Sequence, residues 1–305
     1  PRTIDTDEHG LISPVSFKRK IRDIVAEKDG DAWRLAKGAL KLEEENDKRT
    51  ILVNTRSGLG AAPQIQTLSA KYNILETRFR QRDAIKKMDA FAFNSEFRDA
   101  RIFGNTFLES LKEENEEPAA KEKGKKDKAK KQEERESRDH FISTGVVQFG
   151  PGVSIAPISV IRNTWTNKPG VQGGMDQGMA PMAWKVVQHA VYAMPFFVNP
   201  CMAQKTGCEL TDINLMKFFI PHAYTLNQSV VRPFVEIRHA WYAEHKTPLG
   251  SCPDSLILDA LTPKKIKGDP GEPSTSIEEY EIPMELPADV IDRLKNFEDL
   301  CQKEW

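Results

Sequence analysis

The sequence lacks the features that define several large classes of protein. Its 305 residues include four cysteines and no CxxC pair, which indicates reduced cytosolic thiols rather than a disulfide framework. No apolar run approaches the ~18 residues of a membrane span, and the first five residues do not resemble a signal peptide. We therefore expect a cytoplasmic protein that has no membrane partner.

Motifs of the common enzyme classes are missing as well. There is no GxSxG, no GxxxxGK(S/T), no HExxH, and no GxGxxG that opens a helix after a strand. Four histidines and two cysteines are scattered without the spacing of a zinc site: His189, His222, His239, His245, Cys201 and Cys208. Acidic residues such as Asp99 and Asp212 have no obvious partner. The sequence predicts no catalytic residue, metal or cofactor, although a loop aspartate that cuts RNA, with Asp176 as the candidate, stays open.

Positive charge is not in excess overall. The formal net charge is -1, so any contact with a nucleic acid must come from locally gathered cations. The segment Ser16-Phe17-Lys18-Arg19-Lys20-Ile21-Arg22 gathers four of them within five positions. Ser13 and Pro14 are typical of a helix start, which predicts a helix from Ser13 to about Lys28.

This basic helix has an apolar face and a cationic one. Phe17, Ile21 and Ile24 recur at helical spacing, while Lys18 and Arg22 share a neighbouring face. A helix that buries one stripe and offers a basic row beside it can hold a phosphate backbone. A solvated helix whose lysines only favour solubility is the alternative, and spacing alone leaves both open.

Periodicity and turn residues predict mixed elements along the chain. Helices are expected over residues 13–28, 35–48, 65–90, 212–227 and from 287 onwards, and strands over 145–155 (with a glycine turn), 158–161, 184–198 and 233–243. Residues 262–305 are expected to be peripheral. Residues 112–138 carry many charges of both signs, which predicts a mobile loop or a solvated helix. The order favours an α+β fold.

Glycine and methionine mark a second candidate site. Residues 167–181 are rich in Gly and Pro and predict a mobile hairpin tip that carries Met175 and Met179 near Trp165. Methionines flanked by glycine favour a surface role, wedged between or stacked on bases, over a place in a core. The turn at Gly150-Pro151-Gly152 would let another backbone approach closely.

Short blocks in a fixed order carry a family resemblance. They cover residues 1–2, 9–12, 17–22, 99–104, 145–151, 160–162, 203–207, 229–232, 244–246 and 249–250. In this order they resemble the backbone subunit of the type I-C CRISPR interference complex (Cascade), a member of the repeat-associated RNA-binding superfamily. The basic helix and the R-x-F-G block at residues 101–104 are the most specific parts.

The resemblance implies a fold and a function. It implies an RRM-like palm with a thumb hairpin, in a subunit whose copies line up side by side on one guide RNA among other CRISPR effector subunits. The guide bases would stay exposed for pairing with target DNA. The RNA-binding residues expected on this basis, together with charge and glycine content, are Lys18, Arg19, Lys20, Arg22, Arg101, Gly150, Gly152, Arg162, Trp165, Met175, Met179, Arg232 and Lys246.

The resemblance also implies a domain plan. One discontinuous domain would have its palm in residues 1–34, 139–161 and 182–262, an inserted web or finger region in 35–111, a charged mobile loop in 112–138, a thumb in 162–181 and a peripheral segment in 263–305. Two departures stand out. Relatives usually have an apolar strand before the Pro-Arg pair with which this sequence starts, and the charged segment has no expected counterpart.

Overall fold

A computed structural model describes most of the chain. The described residues are 1–4, 8–24, 30–42, 48–52, 65–69, 93–94, 97–107, 141–167, 180–229, 231–232 and 234–304. Helices occur together with small antiparallel sheets, which confirms the α+β class. Contacts divide the chain into two compact units, one of residues 1–41, 148–198 and 214–305, and one of residues 42–147 and 199–213. The RRM-like palm and the domain plan stay predictions.

The elements have the following bounds. The strands are β1 (Arg2–Thr3), β2 (His9–Ile12), β3 (Lys48–Leu52), β4 (Ile65–Ser69), β5 (Asn105–Phe107), β6 (Phe141–Ser143), β7 (Val147–Phe149), β8 (Gly152–Pro157), β9 (Val160–Asn167), β10 (Ala180–Val187), β11 (Tyr192–Ala193), β12 (Phe196–Val198), β13 (Trp241–His245), β14 (Lys264–Lys265), β15 (Tyr280–Glu281) and β16 (Leu294–Asp299). The α-helices are α1 (Pro14–Ile24), α2 (Asp31–Leu40), α3 (Arg98–Phe103), α4 (Ala203–Thr206), α5 (Leu210–Phe219), α6 (Asp254–Leu261) and α7 (Ala288–Ile291).

Four strands of the first unit form an antiparallel sheet in the order β1-β2-β8-β11. Strand β2 is fastened to β8 by the Gly10 N–H, which donates to the Ser154 hydroxyl at 2.8 Å. A Cβ atom on Gly10 would lie 2.3 Å from the hydroxyl oxygen of Tyr192. The family-like block at residues 9–12 therefore has a packing reason for its glycine.

An aromatic core holds helix α1 to this unit. Phe17 of α1 packs edge-on against Phe149, with ring centroids 5.1 Å apart. Phe149 stacks on Phe196 at 5.3 Å, and Phe196 stacks in turn on Tyr242 at 6.4 Å. Such offset and edge-on aromatic pairs contribute about 0.5–1.5 kcal/mol each beyond area burial. These contacts fix the rotation of α1 about its own axis.

The C-terminal part is less peripheral than the sequence predicts. The expected helix from residue 287 is only the single turn α7, and the chain then enters β16, which pairs with β13 in register from Trp241 opposite Asp299. Val290, Leu294 and Leu300 are buried. The prediction of a final helix was wrong because a ladder with a strand far away in sequence decides the conformation of residues 294–299.

The predicted helices over residues 35–48 and 65–90 were also wrong in part. Helix α2 ends at Leu40, where Lys41 adopts a left-handed φ of 50° and caps the helix, and residue 48 belongs to strand β3. Residues 48–52 and 65–69 pair as the antiparallel strands β3 and β4. Their β-branched residues suit a strand, and the pairing overrides the helical spacing from residue 65 onwards.

Two predicted strands are shorter than expected. The run over residues 184–198 is interrupted by a bend at Gln188 and His189 and by Pro195, which separate β10, β11 and β12. The run over 233–243 becomes a strand only at Trp241. Residues 234–240 alternate between exposed and partly buried positions, but no ladder partner is seen for them in the described chain. Alternation alone therefore does not make a strand.

Several predictions are confirmed. Residues 145–155 form a strand, a turn and a second strand, and β9 and β10 form the stem of a hairpin around residues 167–181. Residues 212–227 are helical, with α5 followed by 3-10 turns at Ile220–His222 and Thr225–Asn227. Pro221 explains the change of helix type, because proline has no N–H to continue an α-helix.

Some expectations lie outside the described residues. These are the charged segment 112–138, the predicted helix beyond residue 69, the loop aspartate Asp176, and Met175 and Met179. In the part of the chain that the structure describes, no helix is both long and apolar enough to cross a membrane.

Candidate nucleic-acid interface

Helix α1 begins where the sequence predicts. The Ser13 hydroxyl accepts a hydrogen bond from the Ser16 N–H at 3.3 Å, and the Ser13 carbonyl accepts one from the Phe17 N–H at 3.2 Å. Pro14 at the first helical position has no N–H that would need a partner. The helix is described up to Ile24, and the predicted end near residue 28 lies outside the described residues. The start sets the direction in which each later side chain points.

One face of α1 is buried as predicted. Phe17, Ile21 and Ile24 are 6%, 2% and 7% exposed. Burying three such side chains stabilises the docked helix by roughly 1.5–3 kcal/mol each. The orientation of the polar side chains is therefore fixed by the core and not by solvent.

The four cations of α1 do not form one row. Residues of an α-helix are about 100° apart, so Lys18 and Arg22 share one flank of the buried face while Lys20 lies on the other flank. Arg19 lies on the side opposite the buried face. The candidate phosphate-binding row predicted from Lys18 to Arg22 is thus two residues long on any one side.

Lys20 and Arg19 have partners within the protein. Lys20 Nζ donates to the Asn227 carbonyl at 3.3 Å, and Asn227 Nδ2 donates back to the Lys20 carbonyl at 3.1 Å. Arg19 Nε donates to Asp23 Oδ2 at 3.2 Å, where both side chains are about one third exposed. The hydrogen bonds of Lys20 therefore hold α1 to the turn at Thr225–Asn227. A phosphate that binds Arg19 would have to compete with the Asp23 carboxylate.

Lys18 is in an environment that disfavours its charge. Partial burial, and after it the positive charge of Arg22, lower the pKa of the Lys18 ammonium from its ordinary value. Two like charges one turn apart on a half-buried flank raise the free energy of the protonated state. A phosphate anion beside Lys18 and Arg22 would offset this cost.

Contacts within the protein explain why residues 150 and 152, where RNA was expected to approach the backbone closely, are glycines. Gly150 donates its N–H to the Pro195 carbonyl at 2.8 Å, and a Cβ atom on it would lie 2.9 Å from Cγ of Pro195. Gly152 is buried, and its Cβ would lie 2.8 Å from Cε of Met194. Packing against the protein itself therefore accounts for both glycines without a nucleic acid.

The hairpin stem places Arg162 on an exposed surface. Strands β9 and β10 pair over eight positions, with Arg162 directly opposite Lys185 and Trp165 opposite Met182. Arg162 and Lys185 are both exposed. Lys185 was missed by the sequence reasoning, which placed it in a strand over residues 184–198 and gave it no role in binding.

Arg101 is buried and is not available at a surface. It is 4% exposed, and its guanidinium donates two hydrogen bonds to the Asp212 carboxylate, from Nε at 3.0 Å and from Nη2 at 2.9 Å. Arg98 donates to the Asp212 carbonyl at 3.0 Å, and its own pKa is lowered by burial. The expectation that Asp212 has no partner was wrong, and we remove Arg101 from the candidate interface.

The two remaining cations are exposed but far apart in the chain. Arg232 lies in a tight turn in which its N–H donates to the Ser229 carbonyl at 2.8 Å. Lys246 follows β13, and its Nζ donates to the Asp292 carbonyl at 2.5 Å. These contacts leave both residues at the surface, and their binding of RNA stays a prediction.

Ser251, His245 and Asp254 lie together as in a catalytic triad, but their hydrogen bonds differ from those of a triad. Nε2 of His245 lies 3.0 Å from the Asp254 carboxylate, while Nδ1 accepts the backbone N–H of Ser251 at 3.1 Å. The Ser251 hydroxyl donates to the Arg293 carbonyl at 2.5 Å. Because the Nδ1 lone pair is already used by a backbone N–H, it cannot take the hydroxyl proton. The cluster closes a loop and offers no activated serine.

Other reactive groups are also held in structural contacts. Nδ1 of His189 is 2.8 Å from the Ser274 hydroxyl, and Nδ1 of His239 is 2.7 Å from the Asp299 carboxylate. Burial raises the pKa of the Cys208 and Cys301 thiols to about 12, which leaves them protonated and unreactive at neutral pH. Among the described residues no group of three or more histidine, cysteine or acidic side chains could hold a metal ion.

Comparison with known families identifies the chain. The family model described as "CRISPR-associated protein Cas7" matches residues 1–285. The chain belongs to the Cas7 family. This membership confirms the resemblance to a CRISPR backbone subunit that the sequence blocks predict, whereas type I-C stays a prediction.

Other comparisons add less to the Cas7 assignment. Comparison with curated proteins gave no match. A chain of a solved structure titled "CRISPR RNA-guided surveillance complex, pre-nicking" is similar with 15% sequence identity and a TM-score of 0.31, over 73% of this chain and 65% of that one. The match thus spans less than two thirds of that chain, and a TM-score this low does not establish a shared fold.

Proposed function

We propose that this Cas7-family protein is a non-catalytic backbone subunit of a CRISPR effector complex of type I-C or a related subtype. It binds guide RNA along the phosphate backbone and leaves the bases free to pair with target DNA. Several copies lie side by side on one guide, together with other effector subunits, in the cytoplasm. The palm that carries the site is RRM-like. Family membership supports the general part of this proposal.

The observation that carries the RNA-binding part is the flank of α1. Lys18 and Arg22 lie one turn apart beside a face that is packed into the core, so neither the helix nor its rotation has to be ordered on binding. Burial and the charge of Arg22 lower the pKa of Lys18, so its charged form is disfavoured in the free protein. A phosphate beside Lys18 would stabilise this charged form. A helix whose lysines served solubility alone would place them in full solvent.

The chemistry of the candidate side chains suits phosphate and not base edges. Lysine and arginine side chains bind phosphate as charges, which carries no sequence information. A guide has to accept any sequence, so a site of this kind leaves specificity to base pairing. On the hairpin, Arg162 adds a third cation to the proposed set, together with Trp165, Met175 and Met179 as the stacking or wedging residues.

The test is whether RNA travels with the protein. Full-length protein is co-expressed with a CRISPR array, purified, and measured for its ratio of absorbance at 260 and 280 nm, and any bound RNA is sequenced after nuclease digestion. We expect guide RNA with a protected fragment of regular length. Protein that is free of nucleic acid and does not bind RNA at low salt would overturn the proposal. Metal-dependent cutting of RNA complementary to the guide would overturn its non-catalytic part and favour an endonuclease.

A further inference from the structure

The stem of the hairpin brings two cations face to face. In the ladder of β9 and β10, Arg162 is the direct partner of Lys185, with Thr164 opposite Ala183 as the next pair on the same face. Side chains of directly opposed residues have Cβ atoms roughly 4.5–5.5 Å apart, so both charged groups can reach one point above the ribbon. All four of these residues are exposed.

This pairing is unfavourable for the isolated protein. Like charges in directly opposed positions destabilise an antiparallel ladder. The sixteen residues of the two strands contain no Asp or Glu that would balance them. Within the described residues, neither Arg162 nor Lys185 forms an ion pair. An anion bound between them would relieve the repulsion.

The other face of the same ribbon has a different character. It carries Ile161 opposite Val186 and Asn163 opposite Trp184, of which Val186, Asn163 and Trp184 are partly buried. The cationic face is therefore the one that can meet a charged ligand. An arginine and a lysine complement each other here, because guanidinium donates two parallel hydrogen bonds to a phosphate while ammonium acts as a compact point charge.

We infer that Arg162 and Lys185 form a clamp for a single phosphate group of the RNA backbone at the stem of the hairpin. This inference rests on the proposed RNA binding and adds Lys185 to the site. The clamp predicts two opposite effects of removing either cation, namely weaker RNA binding and a more stable ribbon in the absence of RNA. A cation with a purely structural role would not give this combination.

The experiment measures both effects in the full chain with Lys185→Gln, Arg162→Gln and the double variant. Binding of single-stranded RNA is titrated across salt concentrations, and hydrogen exchange reports the protection of the stem. We expect each single change to weaken binding several-fold, to flatten the salt slope by about 0.7, and to raise stem protection at low salt. Because salt screens exposed charges, the gain in protection should vanish near 1 M salt.

Two further variants sharpen the result. Arg162→Glu places opposite charges across the ladder, so it should raise stem protection further. It should also abolish phosphate binding at this site, because the new carboxylate pairs with Lys185 and repels the phosphate. Lys264→Gln is the matched control, because Lys264 lies directly opposite Glu281 in another two-stranded ladder. Its loss should leave the salt slope unchanged and should not raise protection.

The outcomes separate this inference from the proposed function. If Lys185→Gln leaves affinity and slope unchanged while Lys18→Ala with Arg22→Ala reduces them, the clamp is overturned and RNA binding stands. If the two single effects simply add in the double variant, the cations hold separate phosphates and the shared clamp is overturned. If the unaltered protein does not bind RNA at low salt, both the proposed function and the clamp fall.

Discussion

Lys18 and Arg22 lie one turn apart on the same flank of helix α1, and burial together with the charge of Arg22 lowers the pKa of Lys18. The neighbouring cations Lys20 and Arg19 are bonded to Asn227 and Asp23. The basic segment thus contains two like charges that repel each other, Lys18 and Arg22, and two residues whose hydrogen bonds to Asn227 and Asp23 are defined. This difference separates the residues that we expect to bind phosphate from those that hold the helix.

Replacing Lys18 and Arg22 by alanine together should weaken RNA binding and flatten its salt dependence. Each lost contact with single-stranded RNA lowers the slope of log K against log salt by about 0.7, so the double variant should lose about 1.4. A filter-binding titration across salt concentrations measures this slope. An unchanged slope would remove the α1 flank from the interface.

The control for this experiment removes the same net charge elsewhere. Lys264 lies directly opposite Glu281 in a short ladder of the first unit. Lys295, in another ladder of the same unit, donates a hydrogen bond from Nζ to the Glu244 carboxylate. Their joint replacement by alanine should leave the slope as it is. A loss equal to that of the α1 variant would mean that only overall charge matters for RNA binding.

Lys18→Met should make the fold more stable at neutral pH while it weakens RNA binding. The folded-state pKa of Lys18 lies below its ordinary value of 10.5, so the unfolded chain binds this proton more tightly. Stability of the unaltered protein therefore rises with pH between the two pKa values, and the variant lacks this rise. Urea unfolding midpoints at neutral pH and near pH 10 measure the difference between the two proteins.

The stability difference between Lys18→Met and the unaltered protein should depend on pH. The advantage of the methionine variant should shrink as pH approaches 10.5, and a pH-independent difference would contradict the proposed charge penalty. Lys20→Met is the comparison, because it removes the hydrogen bond from Lys20 to Asn227 and should lower the unfolding midpoint.

Local signals in the sequence predicted α1 well. Ser13 and Pro14 act on the first helical turn, and the spacing of Phe17, Ile21 and Ile24 depends only on neighbours along the chain. The sequence also contains a signal for the register of the hairpin. In every ladder pair, from 160 with 187 to 167 with 180, the two residues are equally far in sequence from the midpoint between Gly173 and Gly174. Counting outward from this glycine pair would have placed Lys185 opposite Arg162.

Contacts between distant residues decided the rest. The burial of Arg101 depends on Asp212, which lies 111 positions away, and charge alone suggested an exposed RNA contact. Strand β16 forms because it pairs with β13 and not because of its own periodicity. The close packing of Gly150 and Gly152 depends on Pro195 and Met194, whereas the turn residues alone suggested only room for RNA. Such contacts cannot be read from one sequence.

Asp212→Ala should destabilise the second unit by about 3–5 kcal/mol, because it leaves the buried charges of Arg98 and Arg101 without their counter-ion. Chemical unfolding followed by circular dichroism measures the loss. Glu236→Ala is the control, since Glu236 pairs with Arg238 where both side chains are more than half exposed. It should change stability by no more than about 0.5 kcal/mol. Equal effects of the two changes would mean that Asp212 is not the counter-ion of a buried cluster.

Gly145→Ala should disrupt the contact between the family-like blocks at residues 99–104 and 145–151. A Cβ atom on Gly145 would lie 2.2 Å from the Gly104 nitrogen and 2.3 Å from the Ile102 oxygen, and backbone atoms cannot move aside as a flexible side chain can. We expect a loss of about 1–3 kcal/mol or more in chemical unfolding. Gly38→Ala is the matched change in an open site within α2, where nothing beyond the adjoining helix backbone lies within 4 Å of the new Cβ. It should instead stabilise the helix by about 0.5–1 kcal/mol. If Gly145→Ala were tolerated as well as Gly38→Ala, close backbone packing would not explain the glycine in this block.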